Sequence, residues 1–315
     1  MNKPSFIKTS TSLRDKNWFQ TGGPARFFGE PTTIQEFQQA LIYADKQQLD
    51  IFILGQGANI LVSDDGFDGL VIRPQITDIT QEQQEDAIFL TAGAGVIMHN
   101  LIDYCLTHNI LGLEEFSGIP GTVGGSIYIN LHYFKFLLAQ FLVSAQVINK
   151  HTGRIKTVDN SWFSFGYNYS TLHQHNNYLI NATFKLKHAS DIETAYAKGR
   201  RKEIIRHRIT RYPSTHTCGS FFRNFYENEI VHEVNQQKII FVAYYLDKIG
   251  VKGMLRHGNA AVSYQHANMI VNTGNASSTD IINVAKEMQD LVKKQFGLIP
   301  QPECQLIGFK HNPLR

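Results

Sequence analysis

The chain has 315 residues, 43% hydrophobic and 18% charged, enough to bury a substantial core shared among two or three lobes. Thirty basic against 27 acidic residues leave a net charge of +3, which argues against a nucleic-acid binder and against a membrane-surface protein. Met1 to Arg14 hold no apolar leader core and no apolar run approaches the ~20 residues of a span, so a cytoplasmic protein is expected.

Residues 1–31 end in two aromatic, strand-like pieces punctuated by Gly22-Gly23-Pro24. Thr33 and Glu36 make a capping box, and Ile34, Phe37, Leu41 and Ala44 predict a helix over about 34–48. A buried strand, Ile51 to Leu54, then leads into the loop Gly55-Gln56-Gly57-Ala58-Asn59 and a second apolar strand from Ile60. Because that loop enters a strand and not a helix, a dinucleotide fold with a helix-start phosphate site does not fit. Its amides can still form an anion nest for a pyrophosphate.

Val71 to Pro74 close this first lobe, and the polar run Thr77 to Asp86 reads as an exposed connection. Ala87 to Gly95 is a strand with a glycine turn, followed by a helix whose Met98, Leu101, Ile102 and Cys105 share one face. Next comes Gly118-Ile-Pro-Gly-Thr-Val-Gly-Gly-Ser-Ile-Tyr-Ile-Asn130, a side-chain-poor stretch suited to close approach by a large ligand. Residues 141–187 alternate as antiparallel strands over 143–149, 155–158 and 178–186.

A basic helix runs from Ile192 to Arg211; a solvated face, a phosphate-bearing substrate and nucleic acid are its possible readings, the last weakened by the absence of interleaved aromatics. Helical segments near 229–248 and a long helix capped at Thr279-Asp280 and ending before Gly297 complete the chain. Cys105, Cys218 and Cys304 form no C-x-x-C pair, and the 13 histidines form no H-E-x-x-H, so neither a disulfide framework nor a metal site is expected.

Taken in order, Thr21-Gly-Gly-Pro-Ala25, Leu54-Gly-Gln-Gly-Ala-Asn-Ile-Leu-Val62, Ala92-Gly-Ala-Gly95, Gly118-Ile-Pro-Gly-Thr-Val-Gly-Gly125, Gly219-Ser-Phe-Phe222, Val262-Ser-x-x-His266-Ala-Asn268 and Glu303 resemble the UDP-N-acetylenolpyruvoylglucosamine reductase (MurB) family over nearly the whole chain. The resemblance implies an α+β fold: a two-lobed FAD-binding fold of the PCMH, or vanillyl-alcohol-oxidase, type with lobes over 1–75 and 76–190, then a C-terminal α+β substrate lobe over 195–315. It implies FAD and NADPH as cofactors, a UDP-sugar as the small-molecule partner, and reduction of an enolpyruvyl ether to a lactyl ether in peptidoglycan precursor synthesis.

By the same resemblance, FAD is expected on Gly55, Gln56, Gly57, Ala58, Asn59 and Ile60, on Gly93 and Ala94, and on Gly118, Ile119, Pro120, Gly121, Thr122, Gly124, Gly125 and Ser126. Ser220 is the expected proton donor and Glu303 the residue that steadies or protonates the enolic intermediate, because charge built on the substrate carboxylate needs both a donor and a stabiliser. Tyr167, Arg223 and Asn224 are expected on the substrate.

The departures are specific. Where the family has the arginine of a Tyr-Arg-x-Ser element, this chain has Asn168, and no arginine occurs between Arg154 and Arg200. A neutral amide in place of a guanidinium forfeits roughly 1.5–3 kcal/mol of charged hydrogen bonding, about ten- to a hundredfold in rate. Asn130 is followed by Leu-His-Tyr-Phe-Lys-Phe in place of the family's small residues, and His132, Lys135 and Arg223 are the candidates to restore the charge. Ala58 also stands where serine is usual. Two other readings stay open: a relative that binds FAD or a UDP-sugar without turnover, and a PCMH-type oxidase with flavin anchored covalently on His132 or Cys105.

Overall fold

A computed structural model of the chain describes residues 3–230 and 237–314 and separates into two compact units. The first gathers the residues up to Ser10 with Phe27–Gln56 and Asp68–Arg208; the second gathers Thr11–Arg26, Gly57–Phe67 and the residues from Ile209 on. Among the described residues no helix is long and apolar enough to cross a membrane.

In the first unit an antiparallel sheet runs in the order Ile155–Asp159, Leu142–Asn149, Asn177–His188, Ala87–Gly93, Ile79–Gln84. The register Ala182↔Ala92 and Phe184↔Leu90 sets these four side chains into a core closed by Met98, Leu101, Ile102 and Cys105 of helix Met98–Thr107, as the helical spacing predicts. The polar run from Thr77 to Asp86 is not merely a connection. Ile79–Gln84 is an edge strand, and because every residue after Ile79 is exposed, no apolar alternation marks it in the sequence.

Helix Ile34–Lys46 begins where expected, with the Thr33 hydroxyl accepting from the Glu36 N–H at 3.1 Å. The Glu36 carboxylate reaches back to the Thr32 N–H and hydroxyl, at 2.7 and 2.9 Å, and so completes the cap one residue further out than a standard box. Phe37, Ala40, Leu41 and Ala44 pack with Leu70 and Ile72, whose strand pairs in parallel with Asp50–Ile53.

The second unit is built around helix Ser278–Phe296, whose Ile281, Val284, Ala285 and Met288 are buried with Val262 and Ile270 of the strands Ala260–Val262 and Ile270–Asn272. The helix starts a turn-half earlier than Thr279-Asp280 suggests: Ser277 accepts from the Asp280 N–H and Asp280 from the Ser277 N–H, both at 3.0 Å. Of the helix expected near 229–248, Val242–Lys248 is present, and residues 231–236 lie outside the described residues. Ahead of Gly22 the chain forms a 3-10 turn, Arg14–Lys16, with Phe19 buried in the core, and only Pro24–Gly29 of the two expected aromatic strands forms. Strand Ile60–Val62 pairs in parallel with Gln305–Ile307.

Candidate active site

The glycine-rich stretch of the first unit folds into a short helix, Val123–Tyr128, whose N-cap Thr122 accepts from the Gly125 N–H at 3.2 Å. Its amides are largely spent on fixing its own shape. Gly124 donates to the Ala94 carbonyl at 2.9 Å, Ser126 to that of Thr122 at 2.9 Å, and Gly121 to the Gln56 side-chain oxygen at 2.7 Å. Gly118 and Thr122 keep N–H groups that donate to nothing among the described residues, and so do Gly55 and Gln56. Ile119 and Pro120 carry the chain between the left-handed Gly118 and Gly121, while Gly93 and Ala94 end strand Ala87–Gly93 beneath the helix.

Two kinds of glycine are present here. At Gly93 an added Cβ would lie 2.2 Å from the Ile76 carbonyl, so the fold itself forbids a side chain. At Gly125 the nearest atom would be the Thr122 hydroxyl at 3.7 Å, and at Gly121 the Ser126 hydroxyl at 3.6 Å, so the protein leaves room that it does not fill. A helical glycine with open space costs stability relative to alanine, and its retention fits close approach by a flat ligand. Gly125→Ala is expected to raise the thermal stability of flavin-free protein by up to ~1 kcal/mol and to weaken flavin retention. Thermal unfolding with and without flavin measures both signs; a loss of flavin-free stability would contradict the reading.

Arg208, on helix Asp191–Arg211, donates from Nε to the Gly118 carbonyl at 3.0 Å and lies 5.8 Å from the Tyr133 ring centre. The sequence shows Arg208 only as one of many basic residues. Other charges of that helix are paired: Arg200 grips Glu115 at 2.9 and 3.0 Å, Arg201 bonds Asp103, and Arg206 bonds Glu203.

Within the second unit, Gly57 has a left-handed φ of +67°, and the N–H groups of Gly57, Ala58 and Asn59 donate to nothing among the described residues. The Asn59 side-chain oxygen is buried without a partner. Its amide nitrogen approaches the Glu303 carbonyl at 3.4 Å, and its own carbonyl accepts from Gln305 at 3.0 Å, just ahead of Ile60 and the parallel pair. Bare N–H groups beside an orphaned buried acceptor fit a ligand with phosphates and ring donors, the combination FAD carries.

Ser220 and Glu303 are brought together here. Phe221, the residue after Ser220, accepts at its carbonyl from the N–H groups of Glu303 and Cys304, at 2.8 and 3.2 Å. Asn268 pins the next turn of chain: its carbonyl and Oδ1 accept from Phe221 and Phe222 at 2.8 and 3.1 Å, and its Nδ2 donates to the Phe222 carbonyl at 2.7 Å. Ser220 therefore sits between the left-handed Gly219, φ +79°, and a fixed, buried Phe221-Phe222 pair, half-buried and with its hydroxyl unengaged among the described residues.

Arg223 is less available than its charge suggests. Its fork closes on Glu229 at 2.8 and 2.7 Å and its guanidinium carbon lies 4.2 Å from the Tyr226 ring centre, and Arg223 in turn holds the Glu229 carboxyl below the usual range. Asn224 accepts from the Val242 N–H at 3.3 Å. In the first unit Tyr167 and Asn168 form the tip of a tight turn closed between Gly166 and Tyr169, with Asn168 at φ +53°. Asparagine tolerates that conformation better than arginine does. Cys105 lies inside the apolar core, its thiol pushed up to about 12 by burial, which leaves no basis for a covalent flavin anchor there.

Residues 25–159 match an FAD binding domain, and residues 211–307 match the domain described as UDP-N-acetylenolpyruvoylglucosamine reductase, C-terminal domain. With the α+β fold this defines an FAD-binding oxidoreductase. The UDP-N-acetylenolpyruvoylglucosamine reductase of Latilactobacillus sakei is 30% identical over 311 residues, spanning 98% of this chain and 96% of the relative. That of Solibacter usitatus is 30% identical over 315 residues, spanning 96% and 97%. A crystal structure of the Thermus caldophilus reductase, described as MurB, is 25% identical and superposes with a TM-score of 0.74 over 96% of this chain and all of that one. The chain belongs to the UDP-N-acetylenolpyruvoylglucosamine reductase family.

Proposed function

We propose that the protein reduces the enolpyruvyl ether of UDP-N-acetylglucosamine to UDP-N-acetylmuramate in the cytoplasm, as a step of peptidoglycan precursor synthesis. Residues 1–75 and 76–190 hold FAD, and residues 195–315 hold the UDP-sugar. In the first unit the N–H groups of Gly55, Gln56, Gly118 and Thr122 are the donors offered to the pyrophosphate, and Gly121 and Gly125 leave room for the ring system; in the second unit Gly57, Ala58 and Asn59 offer a separate set of donors. Bound FAD supplies the chemistry of hydride transfer between NADPH and the vinyl carbon.

The chain's own residues complete the reaction. Negative charge on the substrate spreads into its carboxylate as an enediolate, which Glu303, in its protonated form, steadies by donating a hydrogen bond to the enolic oxygen. Ser220 Oγ gives the proton to the adjacent carbon; a hydroxyl is a weak acid, so placement has to make up for acidity. In the second unit Asn224 and Arg223, the latter as a neutralised pair with Glu229, contact the sugar, and in the first unit Tyr167 is a further substrate-binding residue.

The observation that carries this reading is the unengaged Ser220 hydroxyl, set beside Glu303 by the Phe221 carbonyl and immobilised by Asn268. The test is spectroscopic: purified protein is expected to be yellow, to bleach with NADPH, and to regain its colour without oxygen only on addition of the enolpyruvyl sugar. Flavin that bleaches and stays bleached with that sugar would overturn the reading.

A further inference from the structure

The segments around His132 and Tyr167 in the first unit carry features that the roles above do not use. Asn130, Phe134, Ser164 and Asn168 all hold left-handed φ values, of +49°, +51°, +44° and +53°. Such backbone is costly for non-glycine residues and gathers at ligand-handling sites. Asn130 Nδ2 donates to the Gly166 carbonyl at 3.1 Å and ties the two segments together, yet its Oδ1 is buried without a partner. Asn168 Nδ2 is also buried without one, a donor with nothing to donate to.

His132 packs against Tyr167 with ring centres 5.4 Å apart, and the nearby Asn130 backbone favours its protonated form. Burial lowers the proton affinity of the ring and the Asn130 backbone partly offsets this. Tyr167 packs across from it, Tyr133 and Lys135 lie on its own hairpin, and the Arg208 guanidinium lies 5.8 Å from the Tyr133 ring centre. Lys135 is exposed, with its ammonium 5.7 Å from the Phe136 ring centre, and Arg223 belongs to the second unit with its fork closed on Glu229.

We propose that His132 and Asn168 together hold the substrate's carboxylate as a split anion site, His132 supplying a charged donor and Asn168 a neutral one. The inference rests on the reductase reading above. A guanidinium offers two donors and one permanent charge on a single group; here the donors are divided between two side chains and the charge arrives with the ligand. The incoming carboxylate draws a proton onto the second ring nitrogen, so the resting protein carries no buried charge at this place.

The test uses the FAD-loaded protein and the C2–H proton signal of His132, assigned by its loss in His132→Gln. With UDP-N-acetylmuramate, which bears the carboxylate, the midpoint of that signal is expected to rise by about one pH unit or more, and with UDP-N-acetylglucosamine, which lacks it, to stay. His132→Gln is expected to slow turnover of the enolpyruvyl sugar about ten- to a hundredfold while NADPH bleaches flavin at the normal rate, and Asn168→Arg added to it to restore turnover. Equal midpoints with the two sugars, in protein whose flavin spectrum responds to both, overturn the split site and leave the reductase reading standing. A flavin spectrum indifferent to both sugars overturns the reductase reading and this inference with it.

Discussion

Ser220→Ala is expected to leave flavin reduction by NADPH at its normal rate and to cut turnover of the enolpyruvyl sugar about 10²- to 10⁴-fold, the range that a positioned proton donor contributes. The split between the two half-reactions is what makes the result informative. Phe221 and Phe222 are held from Asn268, and Glu303 is held through the Phe221 carbonyl, so among the described residues no structural hydrogen bond passes through the Ser220 hydroxyl. Removing one oxygen there should leave the fold and the flavin unchanged. Stopped-flow absorbance separates the half-reactions: bleaching should be unaltered and recovery of colour slow. Unaltered recovery would mean that the proton comes from elsewhere, with Glu303→Gln the next variant to make.

Gly57→Ala is expected to destabilise the fold markedly. An added Cβ at this position would lie 2.6 Å from the Lys16 carbonyl and 2.7 Å from the Asn17 Cα, backbone atoms that cannot swing aside as a side-chain tip could. The left-handed φ of +67° adds strain of its own, and the Gly57 carbonyl accepts from the Trp18 N–H at 3.0 Å, so a shift of the loop would break that bond. Conformational strain of about 1–2 kcal/mol and overpacking of about 1–3 kcal/mol together predict a loss of about 3 kcal/mol. Urea unfolding of flavin-free protein measures it, and flavin retention should fall in parallel. A variant as stable as the parent would show that the loop is softer than its contacts imply.

What could be read from the sequence was local. Glycines at fixed spacing, the apolar face of helix Met98–Thr107 and the alternation of the 141–187 strands each declare themselves within a dozen residues, and each is present. Ser220 and Glu303 were legible only as separate motifs, because the Phe221 carbonyl that joins them lies some eighty residues from its donors. Three features had no local signal at all. Asn268 holding Phe221 and Phe222 spans 46 positions, Arg208 reaching Gly118 spans 90, and Gln56 meeting Gly121 spans 65. Arg223 misled for a related reason: its partner Glu229 is six positions on, a spacing that matches neither a helix face nor a strand face, so the ion pair could not be foreseen.

Among the described residues strand Ile60–Val62 pairs only with Gln305–Ile307, and Asn59 and Glu303 beside this pair stand 244 positions apart. At ribosomal speeds of about 5–20 residues per second, three fully apolar residues wait roughly 12–50 s for the strand that covers them. Glu303 lies beside that same late pairing, so the arrangement that sets it against the Phe221 carbonyl forms only once this distant strand has been made. Until then the Ile60–Val62 edge is unpaired, and lower growth temperature or added holdase capacity is expected to raise the yield of folded protein.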